Sequence, residues 1–226
     1  MNADMLDENK MDILKQTPLF AGIDKGDIRS MLDCLSARQA HYKKSEIIVM
    51  AGDHLKNIGI VVAGQLQVYK EDFCGKRTIM ATLAPPELYG EAICCAGLSE
   101  SPVNVAASED SLVVLLDFSR ILNICSNTCM FHSKLIENML YVLGRKNLFL
   151  QTRMDIVIGK SVRAKVLTYL ESFGSGGIIT IPMNREQMAE YLCTDRSALS
   201  HELAKMKKEG LIDYHKNSFK IYDTVK

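Results

Sequence analysis

The sequence predicts an α+β protein built in three successive parts, and three observations support this prediction. Short apolar segments recur between glycines over residues 1–125, at the roughly ten-residue spacing typical of antiparallel β structure. Residues 126–158 hold almost no helix-breaking residue, which favours one long helix. Residues 159–226 return to short helical patterns and end in a hairpin pattern, which predicts a second, smaller domain.

The composition is that of an ordinary globular protein with a substantial core. Of the 226 residues, 47% are hydrophobic and 24% are charged, and the formal net charge is zero. The charge is uneven, because 11 Lys and Arg stand against 8 Asp and Glu from Gly159 onward, while 16 stand against 19 before it. A modestly basic C-terminal part suits a polyanionic partner.

The sequence pattern predicts neither secretion nor a membrane location. The N-terminus is acidic and polar and has no signal-peptide apolar core. The longest apolar stretches, such as Ile58–Gly64 and Leu112–Leu116, are far too short to cross a bilayer. We therefore expect a cytoplasmic protein that contacts no membrane, in which the seven cysteines are free thiols.

Residues 1–125 begin with a helical lead and continue as strands. The helical patterns cover Met11–Lys15 and Lys25–Leu35 and are broken by Pro18 and Gly22. The predicted strands are Glu46–Met50, Ile58–Ala63, Gln65–Tyr69, Thr78–Leu83 and Leu112–Phe118, with turns at Gly64 and Asp72–Gly75. This series of short strands predicts a β-barrel or a sandwich.

Positions along the predicted long helix repeat in alternating steps of four and three, which is the a/d pattern of a coiled coil. The repeat begins at Cys129 and Ser133, and the positions predicted to form a dimer interface are Ile136, Leu140, Leu143, Asn147, Leu150 and Met154. A single Asn in such a seam fixes the register and favours a dimer. The alternative is burial of this helix against its own domain, for which a second stripe of Leu135, Met139 and Val142 is suited.

The C-terminal part has the pattern of a winged helix-turn-helix. A helix over Ser161–Ser172 precedes a short strand at Ile178–Ile181, and Asn184 with Gln187 forms a capping-box pattern before a helix over Arg185–Leu192. Thr194 or Asp195 caps the next helix, which Gly210 ends. The segments Leu211–Tyr214 and Ser218–Tyr222 read as the hairpin that forms the wing.

The second of these helices carries the chemistry of a DNA-reading element. Its inner face is Leu199, Leu203 and Met206, which leaves Arg196, Ser197, Ser200 and His201 outward at the N-terminal end, the end that enters the major groove in such motifs. The side chains expected at DNA are Asp195, Arg196, Ser197, Ser200, His201, Lys205, Lys207, Lys208 and Lys216, where the lysines suit phosphates. The alternative is an ordinary helical hairpin with a solvated polar face, which the wing and the basic cluster disfavour.

The order of these parts resembles the Crp/Fnr family of bacterial transcription regulators over nearly the whole chain. The segment TPLFAGIDKGDIRSMLDCL is similar to the family's helical opening, and SVRAKVLTYL is similar to the first helix of its DNA-binding domain. The segment from Lys44 to Glu91, with Gly52, Gly64 and Gly75 at turns, is similar to its β-roll. The resemblance implies an N-terminal double-stranded β-helix, or β-roll, of the jelly-roll type at 1–125, a dimerisation helix at 126–158 and a winged helix-turn-helix at 159–226.

The same resemblance implies a function and a set of partners. We expect an allosteric homodimer that is not an enzyme and that binds a palindromic operator in double-stranded DNA, a small-molecule effector and RNA polymerase. Many family members carry Glu and Arg at the positions of Ser197 and His201, so we expect an operator that differs from the family's commonest one.

The effector cassette departs from that of the cyclic-nucleotide-binding members. Gly90 and Glu91 match the family's Gly-Glu pair, but its Arg position falls on Ser101, which Pro102 follows. A buried cyclic phosphate without a cationic partner loses its charge-assisted hydrogen bonds, so cyclic AMP is not the expected effector. The candidate effector-binding residues are Gly90, Glu91, Ser99, Ser101 and Asn104, and no cofactor or metal is expected.

Three alternatives stay open from the sequence. Cys94 with Cys95, or Cys125 with Cys129, would suit a thiol- or metal-sensing regulator, although the cysteine run of the iron–sulfur members is missing. A regulator of this fold that needs no effector is the second alternative. The third is a cupin-like metalloenzyme, which would need clustered His and Glu ligands that His54 alone does not supply.

Overall fold

A computed structural model describes residues 7–123, 131–174 and 177–222. The chain divides into two compact units, Met1–Leu143 and Gly144–Lys226. The division falls inside the long helix, whereas the sequence pattern gives that helix a part of its own. The three-part division of the chain at 125 and 158 stays a prediction.

The first unit opens with helices α1 (Glu8–Gln16) and α2 (Lys25–Cys34), joined by a 3-10 turn at Pro18–Phe20. The Asp7 carboxylate accepts from the Lys10 amide and thereby caps α1. Both helices bury one apolar face in the core of the unit, including Met11, Leu14, Ile28 and Leu32. The helical lead predicted from the sequence is therefore present.

The described strands of the first unit form two antiparallel sheets that face each other as a β-roll. In chain order they are β1 (Arg38–Tyr42), β2 (Ile47–Val49), β3 (Asn57–Ala63), β4 (Leu66–Glu71), β5 (Arg77–Leu83), β6 (Leu88–Tyr89), β7 (Asn104–Ala107) and β8 (Ser111–Asp117). One sheet has the order β1-β8-β3-β6 and the other β2-β7-β4-β5. This arrangement confirms the predicted α+β fold with an N-terminal roll.

Two cores explain why β3 and β8 are apolar on both faces. Their inward residues, Val61 and Val113, pack against Val49, Leu66 and Val105 of the second sheet. Their outward residues, among them Ile58, Ile60, Val114 and Leu116, belong to the core of the helices. A strand covered on both sides has no polar face, so it reads as a continuous apolar run in the sequence.

The described helices of the first unit are completed by two short ones, α3 (Glu91–Cys95) and α4 (Phe118–Leu122), and by the first half of the long helix α5 (Phe131–Ile158). Leu135, Met139 and Val142 of α5 are buried in the unit's own core, as the second stripe in the sequence suggests. Asn138 is buried beside them and donates to the Leu19 and Ala21 carbonyls, both at 2.9 Å. These contacts dock the start of α5 on the helical lead.

The second unit contains α6 (Val162–Glu171), β9 (Ile178–Thr180), α7 (Arg185–Tyr191), α8 (Arg196–Lys208), β10 (Ile212–His215) and β11 (Ser218–Ile221). The strands pair in the order β10-β11-β9, and a single apolar core joins them to the three helices. The capping box at the start of α7 is confirmed, because Asn184 Oδ1 and Gln187 Oε1 each accept from the other's backbone amide at 2.9 Å. The predicted winged helix-turn-helix is thus present.

Across the described ranges of both units, no helix combines the length and the apolar character that crossing a bilayer requires.

Candidate nucleic-acid interface and ligand cassette

The turn between α7 and α8 is closed by backbone hydrogen bonds. Cys193 has a φ of 47°, a left-handed conformation that glycine usually adopts at this position. The Cys193 amide donates to the Glu190 carbonyl at 3.1 Å, and the Thr194 amide donates to the Ala189 carbonyl at 3.0 Å. The Lys165 ammonium donates to the last carbonyls, those of Leu192 and Cys193. This closed turn sets the direction in which α8 leaves α7.

Helix α8 has one fully buried face and one exposed face. Leu199, Leu203 and Met206 have no accessible surface. On the opposite side, Ser197, His201, Ala204 and Lys208 follow one another at the spacing of a single helical stripe and are all exposed. Arg196 and Ser200 are exposed beside this stripe. The inner and outer faces therefore lie where the sequence pattern predicts them.

The polar side chains at the start of α8 differ in the hydrogen bonds that they make within the protein. Asp195 is the N-cap residue, yet its side chain makes no capping hydrogen bond. The Ser200 hydroxyl donates to the Arg196 carbonyl at 2.8 Å, which leaves its oxygen free to accept. Within the described chain, Arg196, Ser197 and His201 make no side-chain hydrogen bond or ion pair, so their donors and acceptors face solvent.

The lysines at the end of α8 are not equivalent. Lys207 forms an ion pair of 2.5 Å with Asp213 of β10 and also donates to the Tyr214 carbonyl at 3.3 Å. The hydrogen bond to Asp213 raises the pKa of Lys207. Lys207 was predicted to contact a phosphate, but its side chain is already bonded to the wing. Lys208 is exposed and has no ion pair within residues 7–123, 131–174 and 177–222.

An ion-pair network holds α8 to α6, and the sequence pattern did not predict it. Arg163 contacts Glu202 at 2.6 Å and Glu209 at 2.7 Å, one carboxylate on α8 and one at its C-terminal end. Hydrogen bonds to Glu209 and then Glu202 raise the pKa of Arg163, and the same guanidinium lowers the pKa of Glu209. The only sequence signal was the opposite charge of residues far apart in the chain.

The wing is fastened to the start of α7 by Arg185. Its guanidinium lies 5.2 Å from the Tyr214 ring centre and 5.4 Å from that of Phe219, and it donates to the Lys216 carbonyl at 3.0 Å. Lys216 sits at the β10–β11 turn with a φ of 54°, and its side chain is exposed. The wing therefore presents Lys216 at its tip from a firmly held base.

The candidate effector residues form a loop that is bonded mainly to itself. The Ser101 hydroxyl donates to the Val103 carbonyl at 2.7 Å and accepts from the Val103 amide at 3.3 Å. The Asn104 side-chain oxygen accepts from the Ala51 amide at 2.9 Å, and the Ser99 carbonyl accepts from His54 Nδ1. Ser101 is therefore a buried loop-organising residue in a position where the cyclic-nucleotide-binding members have a cation.

Gly90 has a structural role in this loop, and Glu91 is buried directly after it. Gly90 has a φ of 85°, and a Cβ there would lie 2.7 Å from a Leu55 methyl carbon. Glu91 follows in the first turn of α3 and is only 3% exposed. This left-handed φ favours glycine, because an L side chain would be strained there and would displace the Leu55 methyl group.

The two thiols of α3 differ in burial, because Cys94 is buried and Cys95 is exposed. Cys94 is buried, and its Sγ donates to the Leu55 carbonyl at 3.5 Å. Burial, with smaller effects of Cys95 and Glu91, raises the pKa of Cys94 to about 11, and burial also raises the pKa of Cys95. Such thiols are protonated at neutral pH and are poor nucleophiles and ligands. Cys125 and Cys129 lie outside the described residues.

Metal ligands do not gather in the part of the chain that the structure describes. No three His, Cys, Asp or Glu side chains within those ranges are grouped so that they could hold a metal ion.

Most residues of the predicted dimer seam are exposed to solvent in a single chain. Leu140 is 66%, Leu150 58% and Met154 60% exposed, and Asn147 is also exposed. Ile136 is half-buried, and Leu143 packs partly against the unit's own core. The seam residue Cys129 lies outside the described residues. Among the predicted positions, Leu143 therefore has a role within its own chain.

The β-roll, the left-handed Gly90 cassette and the exposed face of α8 define a class: a DNA-binding transcription regulator with a cyclic nucleotide-binding-like domain. The model of the cyclic nucleotide-binding domain matches residues 39–128, and the model of the Crp-like helix-turn-helix domain matches residues 164–225. The chain belongs to the Crp/Fnr family of transcription regulators.

Known proteins are similar to this chain over most of its length. The transcriptional activator protein FnrA of Stutzerimonas stutzeri is 21% identical over 204 residues, which are 86% of this chain and 80% of that protein. The catabolite activator protein of Thermus thermophilus is 20% identical, with a TM-score of 0.54 over 91% of this chain and 94% of its own. The c-di-GMP responsive global regulator CLP of Xanthomonas campestris is 15% identical, with a TM-score of 0.53 over 89% of this chain and 100% of its own. These structural likenesses establish the fold.

Proposed function

We propose that the protein is a homodimeric, sequence-specific DNA-binding regulator whose α8 helices read the two halves of a palindromic operator. The observation that carries this proposal is the exposed N-terminal end of α8, where Arg196, Ser197 and His201 have no internal partners. Arg can donate a pair of hydrogen bonds to guanine, whereas Ser and His can donate to or accept from several bases. Lys205, Lys208 and Lys216 supply cations around this surface for phosphates.

Dimerisation through α5 is the second element of the proposal. Leu140, Leu150 and Met154 are large apolar side chains that stay exposed along one stripe. A partner helix would remove them from water, and the two-fold axis would place one α8 in each half-site. Leu143 and Ile136 would join this interface only with the surface that their own unit leaves uncovered.

A small effector in the first unit controls DNA affinity in this proposal, and cyclic AMP is not that effector. The Ser101 hydroxyl is already bonded to Val103, and no arginine follows Gly90 and Glu91 at the position where the family places one. The coupling between the effector and DNA would be about 1–3 kcal/mol, as in typical allosteric proteins. The activator name of the Stutzerimonas stutzeri relative supports contact with RNA polymerase. A regulator of this kind would act in the cytoplasm.

Replacing Arg196 by Ala tests the reading role of α8. We expect a loss of about 1–3 kcal/mol in specific binding and a relaxed base preference at one position of each half-site. The measurement is equilibrium binding to a set of operator duplexes that differ at single positions. The matched control is Arg77→Ala on β5, which should leave both affinity and preference unchanged, because Arg77 lies in the other unit and pairs with Glu71. An Arg196→Ala variant with unchanged preference would contradict the assignment.

A further inference from the structure

A row of four paired residues crosses the first sheet of the roll. Arg38 of β1 pairs with Leu115 of β8, Leu115 pairs with Gly59 of β3, and Gly59 pairs with Tyr89 of β6. Directly paired residues of an antiparallel sheet place their side chains on the same face. Leu115 and Tyr89 pack in the core between the two sheets, so Arg38 points to that inner face as well.

The missing side chain at Gly59 makes room for the Tyr89 ring. A Cβ at Gly59 would lie 2.0 Å from Tyr89 Cε1 and 2.7 Å from its hydroxyl oxygen. Tyr89 is only 5% exposed, and its hydroxyl makes no hydrogen bond within the described residues. The hydroxyl oxygen is not among the fully buried side-chain atoms without a partner, so it keeps access to solvent and can bond to a molecule that enters from outside.

Tyr89 lines a cavity of about 360 Å³ at this end of the roll. Its volume is at the lower end of the range for small-molecule sites, roughly 300–1,000 Å³. Tyr89, Tyr42, Arg38 and Lys56 line it together with apolar side chains, namely those of Ile48, Val49, Leu55 and Leu115. None of the five candidate cassette residues lines this cavity, although His54, which does line it, donates to the Ser99 carbonyl of the cassette loop.

The charge of the lining favours an anion. Arg38 and Lys56 have no ion pair in the described part of the chain, whereas the one lining carboxylate, Asp53, accepts from the Met50 amide at 2.7 Å. The lining cations therefore outnumber the carboxylates by two to one. Burial raises the pKa of both Tyr42 and Tyr89, while the Arg38 guanidinium acts in the opposite direction on both. Positive charge thus lies beside two protonated phenols that can donate.

We propose that this cavity binds a small organic anion, with its carboxylate or phosphate held by Arg38, Lys56 and the Tyr89 hydroxyl, and its apolar body against Leu55 and Leu115. Each part of the site has its own partner on such a molecule, because cations and phenol donors suit the acid group and the aliphatic side chains suit the rest. The site needs no contribution from the DNA-binding unit, so this proposal stands independently of the proposed operator recognition.

Ligand-observed NMR on the full-length protein tests this site with defined probes. Benzoate and phenyl phosphate carry the two acid groups on the same apolar body, benzamide is the neutral counterpart of benzoate, and inorganic phosphate supplies charge alone. We expect at least one of the two aromatic anions to bind more tightly than both benzamide and inorganic phosphate. Arg38→Gln and Tyr89→Phe should each weaken that binding roughly ten-fold, because each removes a hydrogen bond to a charged group.

Lys70→Gln is the control, because Lys70 lies exposed on β4 and does not line the cavity. That variant should bind the anion as the parent does. The proposal would be overturned by millimolar benzoate and phenyl phosphate that both fail to bind. Binding that survives both Arg38→Gln and Tyr89→Phe, or benzamide binding as tight as that of the anions, would overturn it as well. Thermal unfolding of each variant confirms that it is folded before binding is compared.

Discussion

At the scale of single residues, the structure separates two lysines that look equivalent in the sequence. Lys207 is held by Asp213, whereas neighbouring Lys208 is exposed and unpaired within the described chain. We therefore expect Lys208→Ala to weaken DNA binding across all sequences and to lower the salt slope of binding by about one unit, because one phosphate contact is lost. The measurement is the logarithm of affinity against the logarithm of salt concentration.

Lys207→Ala is the paired control for this prediction. It removes the same charge one position away, but mainly loosens the contact between α8 and the wing. We expect its salt slope to stay close to that of the parent protein. Equal changes of slope in the two variants would show that the ion pair to Asp213 gives way when DNA binds.

At the scale of secondary-structure elements, Arg163 fixes α8 on α6 through two carboxylates. Its hydrogen bond holds the pKa of Glu209 below the ordinary value of 4.5. A carboxylate whose pKa is lowered by folding stabilises the protein above its unfolded pKa, and this stabilisation is lost as the pH falls through the folded pKa. We expect Arg163→Gln to lower the free energy of unfolding at pH 7, and the difference from the parent to shrink below about pH 4.5.

Urea unfolding of both proteins at several pH values from 7 to 3 measures this difference. Lys160→Gln serves as the control, because Lys160 is an exposed cation nearby that takes no part in the network. Its effect should be small throughout. A difference between parent and Arg163→Gln that stays constant down to pH 3 would mean that the ion pairs do not contribute through Glu209.

The elements that the sequence predicted best are those with a local signal. Helices α7 and α8 carry an amphipathic pattern and end-specific residues, and β3 and β8 are apolar runs bounded by turns. Strand β1, with the sequence RQAHY, has no such signal, because only its pairing with β8 makes it a strand. Helix α3 has five residues, too few for a helical period to show.

The same distinction between local and tertiary features applies to the candidate site. The exposed face of α8 could be predicted, because burial of Leu199, Leu203 and Met206 decides which side remains outside. The ion pair between Lys207 and Asp213 and the network of Arg163 could not, because they depend on how separate elements pack. The cavity beside Tyr89 could not be predicted from the sequence either, because it forms only when β1, β3, β6 and β8 lie side by side.

At the scale of the whole molecule, recognition of a palindromic operator requires a dimer, which we propose forms through α5. Replacing Leu140 and Leu150 by Lys in one variant should give monomers, because two charges per chain would be placed where an apolar interface is expected. Specific DNA binding should be lost with the dimer, since a single α8 reads only one half-site. Sedimentation velocity and operator binding measure the two effects on the same preparation.

These positions are better choices than Leu143, which packs partly in its own unit and whose loss would also disturb the fold. Leu98→Lys is the matched control, because Leu98 is an exposed leucine, 49% accessible, outside α5. We expect that variant to remain dimeric. A Leu140→Lys/Leu150→Lys protein that sediments as a dimer would place the interface elsewhere.

Two α8 helices, related by a two-fold axis, should read a palindromic operator. Selection of bound duplexes from a randomised pool by the full-length protein shows whether the preferred sequence has this symmetry. We predict enrichment of a two-fold symmetric sequence whose half-sites are about one helical turn apart, roughly 10–10.5 base pairs from centre to centre. Enrichment of a single asymmetric half-site, or recovery of the pool without any preferred sequence, would contradict it.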